Sequence, residues 1–276
     1  MEGSTTYTIT FNELNELTEL VYKIYGLDLT GYAKASLKRR VTRLMHVKHL
    51  PLFDLRSVLI NDPDFFDEFL AGITVNVTEM FRDPDFYKAF REKVLPYLAS
   101  FQRIKIWNAG CSSGEELYSF AILLYEEQLY KRAFLYGTDI NTRVIEQAKK
   151  GIYNLRSMKQ YSENYQASGA IHSLSEYYIA KYDAACILQK LKKHTLFSVH
   201  NLVSDGVFNE FQVIVCRNVL IYFDIEQQQK IIDLFYNSLC MLGFLCLGSK
   251  ESLRSDELKN RFRIIDRIEN IYQKIA

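Results

Sequence analysis

The chain has 276 residues, 48% hydrophobic and 24% charged, a balance that suits one large or two smaller globular domains. Its 34 basic and 33 acidic residues leave a net charge of +1, too weak a field to recruit nucleic acid or a membrane surface. No apolar run approaches the roughly 20 residues of a spanning helix, and the polar N-terminus lacks a signal-peptide core, so no membrane insertion and a cytoplasmic location are expected. The five cysteines form no Cys-x-x-Cys pair and mostly sit in apolar runs, which reads as reduced, buried thiols. The histidines are scattered, so no metal site is expected. The expected state is a monomer.

Residues 1 to about 75 read as helical. Thr10 is placed to cap a helix with Phe11, Leu14, Leu17, Leu20, Val21 and Ile24 at helical spacing, and Gly26 to stop it. Leu37, Val41, Leu44 and Val47 give the next helix one apolar stripe, and its other faces carry Lys34, Lys38, Arg39, Arg40, Arg43 and Lys48. Such a run is either a solvated face or a cationic surface for an acidic partner helix. Two shorter helices follow around Pro51 and Asp62-Pro63. Thr74 to Pro84 alternates polar and apolar residues, and Asn76, Thr78 and Arg82 would project from a segment joining two domains.

Arg103 to Asp139 then has the order strand, glycine turn, helix, strand. Ile104 to Trp107 breaks into Gly110-Cys111-Ser112-Ser113-Gly114; Glu115 and Glu116 open a helix, and a second apolar run ends at Asp139. An open α/β sheet holds an adenosine-type ligand this way, with glycines for close backbone approach and a strand-end carboxylate for the ribose hydroxyls. Asn108 at the position of the first fingerprint glycine disfavours a dinucleotide. The same turn satisfies the nucleophile-elbow pattern with Ser112 as a hydrolase nucleophile, but no histidine follows His200 to complete a triad. A plain connecting turn is the remaining alternative.

Past Gly151 a polar, tyrosine-rich stretch precedes Tyr177 to Leu191, whose irregular alternation fits strands of a small inserted sheet or a helix. Thr195 to Val199, ending at Asn201-Leu202, and Phe211 to Cys216, ending at Arg217-Asn218, read as parallel strands whose ends belong to one site. A helix from Ile225 to Leu242, a strand over Phe244 to Leu247 and a closing pair near Phe262 and Ile271 complete the pattern.

Asn76-x-Thr78-x-x-Phe81-Arg82, Cys111-Ser112-x-Gly114-Glu115-Glu116-x-Tyr118-Ser119, Thr138-Asp139-Ile140, Asn201-Leu202 and Cys216-Arg217-Asn218-Val219-x-Ile221-Tyr222-Phe223 occur in this order. Together they resemble the chemotaxis receptor methyltransferase (CheR) family over nearly the whole chain. The resemblance implies an α/β fold: a Rossmann-like class I methyltransferase domain with a mixed, mostly parallel sheet, a helical N-terminal domain and a small inserted β subdomain. It places the helical, receptor-docking domain at 1–75, a linker with cofactor and catalytic residues at 76–90, and the methyltransferase domain at 91–276 with its insertion at about 170–195. It further implies methyl transfer from S-adenosylmethionine, leaving S-adenosylhomocysteine, to glutamate side chains on the cytoplasmic helical bundle of chemoreceptors.

By the same resemblance Glu116 meets the methionine ammonium and Asp139 the ribose. Asn76, Thr78, Asn201, Leu202, Arg217 and Asn218 are the other cofactor contacts. Arg82 and Tyr222 flank the methyl and the incoming carboxylate, Arg82 also counting among the cofactor contacts, and Lys34, Lys38, Arg39, Arg40 and Arg43 dock the receptor. The chemistry asks for little more. A glutamate of pKa about 4.3 is already ionised, so no general base is needed, and holding reactants in attack geometry is worth about 7–11 kcal/mol. The second functional class is a domain that binds the cofactor or its product without transferring anything. Leu117 stands where the family often has proline, and Met80 replaces a common aromatic. Tyr177 to Lys193 contains no glycine, unlike the loop of members that bind a receptor's C-terminal pentapeptide, so a pentapeptide-independent enzyme is expected.

Overall fold

The structure, a computed structural model, describes residues 7–253 and 260–275. The chain divides into two compact units, Met1–Asn76 with Tyr222–Ile231, and Val77–Ile221 with Ile232–Ala276.

The first unit is built from four helices, α1 (Phe11–Tyr25), α2 (Lys34–Lys48), α3 (Leu52–Asn61) and α4 (Phe65–Ile73). A capping box starts α1: the Glu13 amide donates to the Thr10 hydroxyl at 3.2 Å, and the Thr10 amide donates to the Glu13 carboxylate at 2.8 Å. Gly26 ends the helix at φ 68°, a left-handed turn that favours glycine. Leu14, Leu17 and Val21 of α1, Leu37, Val41 and Leu44 of α2, Leu55 and Leu59 of α3 and Phe69 of α4 form the buried centre. Tyr25 stacks on Phe66 at 3.8 Å and donates its hydroxyl to the Leu59 carbonyl.

The unit is not continuous in sequence. Residues Tyr222–Ile231 return to it, bridging the loop between α1 and α2. The Ala33 amide donates to the Tyr222 carbonyl at 2.9 Å, the Asp224 amide to the Gly31 carbonyl at 3.0 Å, and the Tyr32 and Phe223 rings lie 4.8 Å apart.

The second unit opens with α5 (Pro84–Lys93) and α6 (Leu95–Leu98) and then alternates: β1 (Ile104–Ala109), α7 (Glu115–Glu126), β2 (Ala133–Asp139), α8 (Thr142–Lys150). After β3 (Ile152–Asn154), α9 (Met158–Ala167), β4 (Tyr178–Lys181), β5 (Ala184–Ile187) and α10 (Gln189–Lys192) come β6 (Thr195–Val199), β7 (Phe211–Cys216), α11 (Ile225–Ser238), β8 (Leu239–Leu247), β9 (Phe262–Asp266) and β10 (Ile271–Lys274). The main sheet runs β6-β2-β1-β7-β8-β10-β9, parallel through β8 and antiparallel for the last two strands. The mixed, mostly parallel α/β sheet is the one expected. Chain order reverses between β1 and β7, and the carboxyl ends of strands at such a reversal form the ligand crevice of doubly wound sheets.

Apolar runs on β1 and β7 are buried on both sides, and α7 covers the sheet with Leu117, Phe120, Leu123 and Leu124, all at 0% exposure. Each such side chain contributes about 1.5–3 kcal/mol by leaving water.

Three elements differ from the sequence reading. A second sheet, β3-β5-β4, begins at Ile152, ahead of the stretch that looked strand-like. The polar, tyrosine-rich stretch contains α9, whose Met158, Tyr161 and Tyr165 are buried on one face while lysine, glutamine and glutamate occupy the other. Tyrosines filling core positions hid its helical period. The helix expected to reach Leu242 ends at Ser238, and Leu239 already pairs with Phe211 in the sheet.

Candidate cofactor and methyl-transfer site

At the end of β2, Asp139 is tied to the glycine turn beside it. Its Oδ2 accepts from the Ser112 amide at 2.9 Å and its Oδ1 from the Asn141 amide at 3.0 Å. Burial pushes its pKa above the usual carboxylate range, and these amide donors act in the opposite sense. Each oxygen keeps a further lone pair, so a fixed acceptor for a diol stands at the strand end. The turn is tight: the Gly110 and Cys111 amides both donate to the Thr138 carbonyl, at 2.8 and 2.9 Å. Gly110 has φ 78°, and a Cβ there would come within 2.5 Å of Val219 Cγ2, so both conformation and space require glycine.

Glu116, in the first turn of α7, is held on both oxygens. Asn108 Nδ2 donates to Oε2 at 2.7 Å and Arg217 Nη1 to Oε1 at 2.7 Å. Arg217 extends from the end of β7, with a side chain only 3% exposed. Its other contacts go to Asp83, at 2.8 Å, and to the Arg82 carbonyl, which accepts from both Nη atoms at 3.2 Å. Its guanidinium carbon also lies 4.1 Å from the Phe86 ring centre. These contacts make Arg217 a clamp between Glu116 and the Arg82 turn, while its buried Nε–H has no hydrogen-bond partner.

That turn is strained. Phe81 and Asp83, on either side of Arg82, have φ 53° and 56°, and a non-glycine residue in this region costs about 1–3 kcal/mol. Phe81 is held there by full burial against Tyr87 and Tyr165, each 5.0 Å away, and by its amide donating to Ser119 Oγ at 2.9 Å. The half-buried Arg82 side chain has one hydrogen bond among the described residues, to the Val77 carbonyl at 3.5 Å, the outer limit of such a contact. Its guanidinium is thus available to an incoming anion. Thr78 is half-buried in the irregular segment preceding this turn.

The loops after β6 and β7 carry the remaining candidates. The His200 amide donates to the Asp139 carbonyl at 3.1 Å, joining the ends of β6 and β2. Asn201 folds its own loop: its Oδ1 accepts from Val203 at 2.9 Å and its amide donates to Asp205 at 2.8 Å. Leu202 is buried. Asn218 has φ 61°, and its amide donates to Glu251 at 2.9 Å.

Glu251 was not singled out from the sequence. It is 5% exposed and accepts four backbone N–H groups, from Gly248 at 2.7 Å, Val219 at 2.8 Å, Asn218 at 2.9 Å and Ile221 at 3.3 Å. One carboxylate thereby ties the loop after β7 to the end of β8. Burial raises its pKa, opposed by those four donors. An acid three residues past the glycine that ends an apolar strand was the available signal.

In the helical unit, Asn76 donates to Thr74 Oγ1 at 3.2 Å. Tyr222 is half-buried, with the guanidinium carbon of Arg40 4.7 Å from its ring centre. The five candidate docking residues of α2 occupy three settings. Lys34, Arg39 and Arg43 are exposed, Lys38 lies over Phe11 at 4.7 Å, and Arg40 turns inward, donating to the Ile73 carbonyl at 3.0 Å.

The hydrolase alternative fails on geometry. The His200 ring has Nδ1 buried without a partner and Nε2 facing the Gly206 carbonyl at 3.4 Å, so no Ser-His pair exists to activate Ser112.

The α/β sheet, the strand-end carboxylate and the glycine turn form a site for an adenosine-type ligand, and the comparisons with known proteins make it that of an S-adenosylmethionine-dependent methyltransferase. The profile "CheR methyltransferase, SAM binding domain" matches residues 76–269, and "CheR methyltransferase, all-alpha domain" matches residues 12–74. The chain belongs to the CheR family of chemotaxis methyltransferases. It is 43% identical to a putative methyltransferase, Cher3, of Pseudomonas putida, over 95% of this chain and 96% of that protein. It is 32% identical to a chemotaxis protein methyltransferase of Listeria monocytogenes, over 86% and 88% of the two chains, and 29% identical to one of Borreliella burgdorferi, over 90% and 91%. Among the described residues no helix is long and apolar enough to cross a membrane.

Proposed function

We propose that the enzyme converts glutamate side chains on the cytoplasmic helical bundle of chemoreceptors into methyl esters, working as a monomer in the cytoplasm. The observation that carries this reading is Arg82: a cation on a strained turn, clamped through its backbone by Arg217 and with its own guanidinium uncommitted. A guanidinium presented this way suits a carboxylate, which it can grip on both oxygens.

The residues present fit the cofactor. Asp139 would accept from the ribose hydroxyls and Glu116 from the methionine ammonium, while Asn76, Thr78, Asn201, Leu202 and Asn218 would line the remainder. S-adenosylmethionine supplies a methyl group already activated on a sulfonium. Arg82 orients the ionised glutamate, and Tyr222 is the second catalytic residue, acting with its hydroxyl. Arg217 holds Glu116 and the Arg82 turn with its Nη atoms, keeps a buried Nε–H without a hydrogen-bond partner, and counts with them among the cofactor contacts. The carboxylate loses charge towards the transition state, so Arg82 must align it without holding it tightly.

The domain roles follow: residues 1–75 dock the receptor, 76–90 carry cofactor and catalytic residues, and 91–276 hold the methyltransferase with its β insertion. On α2 the exposed Lys34, Arg39 and Arg43, with Lys38, face the acidic methylation region. Peptide docking at the insertion is not expected, since β4 and β5 are joined by only Tyr182 and Asp183 in a tight turn with Tyr182 at φ 52°. Saturable micromolar binding of a receptor C-terminal pentapeptide would overturn that point.

The deciding test is transfer of labelled methyl to receptor cytoplasmic fragments, released by alkali as an ester should be. Arg82→Ala is expected to lower turnover at least about a hundredfold, as loss of a transition-state contact does, with S-adenosylhomocysteine affinity nearly unchanged. Equal turnover in wild type and variant would remove Arg82 from the chemistry.

A further inference from the structure

Arg40 stands apart from the other cations of α2. It donates to the carbonyl of Ile73, the last residue of α4, at 3.0 Å, and places its guanidinium 4.7 Å from the centre of the Tyr222 ring. Tyr222 is anchored through its backbone by the Ala33 amide at 2.9 Å. Its side chain has looser surroundings: Tyr32, Ser36, Leu37, Ile73, Arg40 and Tyr222 together line a small cavity. A half-buried ring beside unfilled space is not fixed by close packing, so a directional contact decides where it points. A guanidinium over an aromatic face supplies one, and being itself tied to the end of α4 it is a fixed reference.

We infer that Arg40 is a positioning residue for Tyr222, setting the ring through the cation–π contact, and takes no part in docking the receptor. The inference rests on the catalytic role proposed for Tyr222. It also assigns two tasks to one helix: exposed arginines on one face for the partner, an inward arginine on the other for the tyrosine.

The test is Arg40→Gln and Arg40→Lys in the full chain, assayed with a receptor cytoplasmic fragment. Arg40→Gln is expected to lower kcat about fivefold to tenfold, the size of a lost cation–π contact. The fragment KM and the S-adenosylhomocysteine affinity should stay within about twofold, and Arg40→Lys should recover part of kcat by keeping the charge. A raised KM at unchanged kcat would make Arg40 a docking residue and overturn the inference. A readout without substrate separates the two proposals. With 3-fluorotyrosine incorporated and the Tyr222 resonance assigned through Tyr222→Phe, Arg40→Gln should shift and broaden that resonance. An unmoved resonance overturns the positioning role even if the enzyme methylates receptors. A moved resonance in a protein that methylates no receptor fragment fails the proposed function alone.

Discussion

The carboxylates around the strand ends and the cations on α2 are charged groups in opposite settings. Asp139, Glu116 and Glu251 have every oxygen engaged by amides, Asn108 or Arg217, and none is free to move. Lys34, Arg39 and Arg43 are exposed, and no partner is recorded for them among the described residues. A group that must meet one small molecule in one geometry is fixed beforehand, because ordering it at each encounter would cost affinity. A surface that steers a large acidic partner needs charge at a distance and little geometry.

The sharpest way to break this comparison is to remove the clamp. Arg217→Met strips the cation from a buried carboxylate and the Arg82 carbonyl, and loss of about 3–5 kcal/mol is expected, as for one partner of a buried pair. Denaturant titration with and without S-adenosylhomocysteine measures it, and unchanged stability would show that the network is dispensable. Glu251→Gln comes next. The amide must turn its own N–H towards backbone donors, costing about 1–3 kcal/mol, and calorimetric cofactor affinity should fall with it.

The third expectation concerns Glu115, buried beside the turn. It accepts from Ser113 Oγ at 2.7 Å and bonds the Tyr161 hydroxyl, and burial raises its pKa to about 7. Folding therefore favours its protonated form, a stabilisation complete below the ordinary value of 4.5 and lost as pH rises through 7. The melting temperature of wild type relative to Glu115→Gln should fall between about pH 5 and 8, and a pH-independent difference would contradict the shift. The smallest effect belongs to α2. Arg39→Glu with Arg43→Glu should raise the receptor-fragment KM severalfold at low salt and much less at 0.5 M, where charges farther apart than about 4–5 Å are screened, with kcat unmoved.

Sequence showed the pinned half of this contrast more readily than the means of pinning it. Asp139 and Glu116 are visible because a strand end and a helix start have local signatures. Glu251 and the inward turn of Arg40 are not, since each depends on contacts with residues distant in the chain: Glu251 on Asn218 through Ile221, Arg40 on Ile73 and Tyr222. The strain at Phe81 was equally hidden, because what holds φ 53° is Ser119 and two tyrosines on other elements. Tyrosines in the core concealed α9, where apolar periodicity alone reads as loop.

The excursion of Tyr222–Ile231 into the helical unit bears on how the molecule is made. Domains form in the order in which the ribosome delivers them, yet this first domain lacks a bridging segment until most of the second has been synthesised. A nascent chain that stops at Asn76 carries four helices whose α1–α2 loop has unmet amides at Ala33 and an uncovered Tyr32. Completion of the helical unit is thus timed to the delivery of Tyr222 itself.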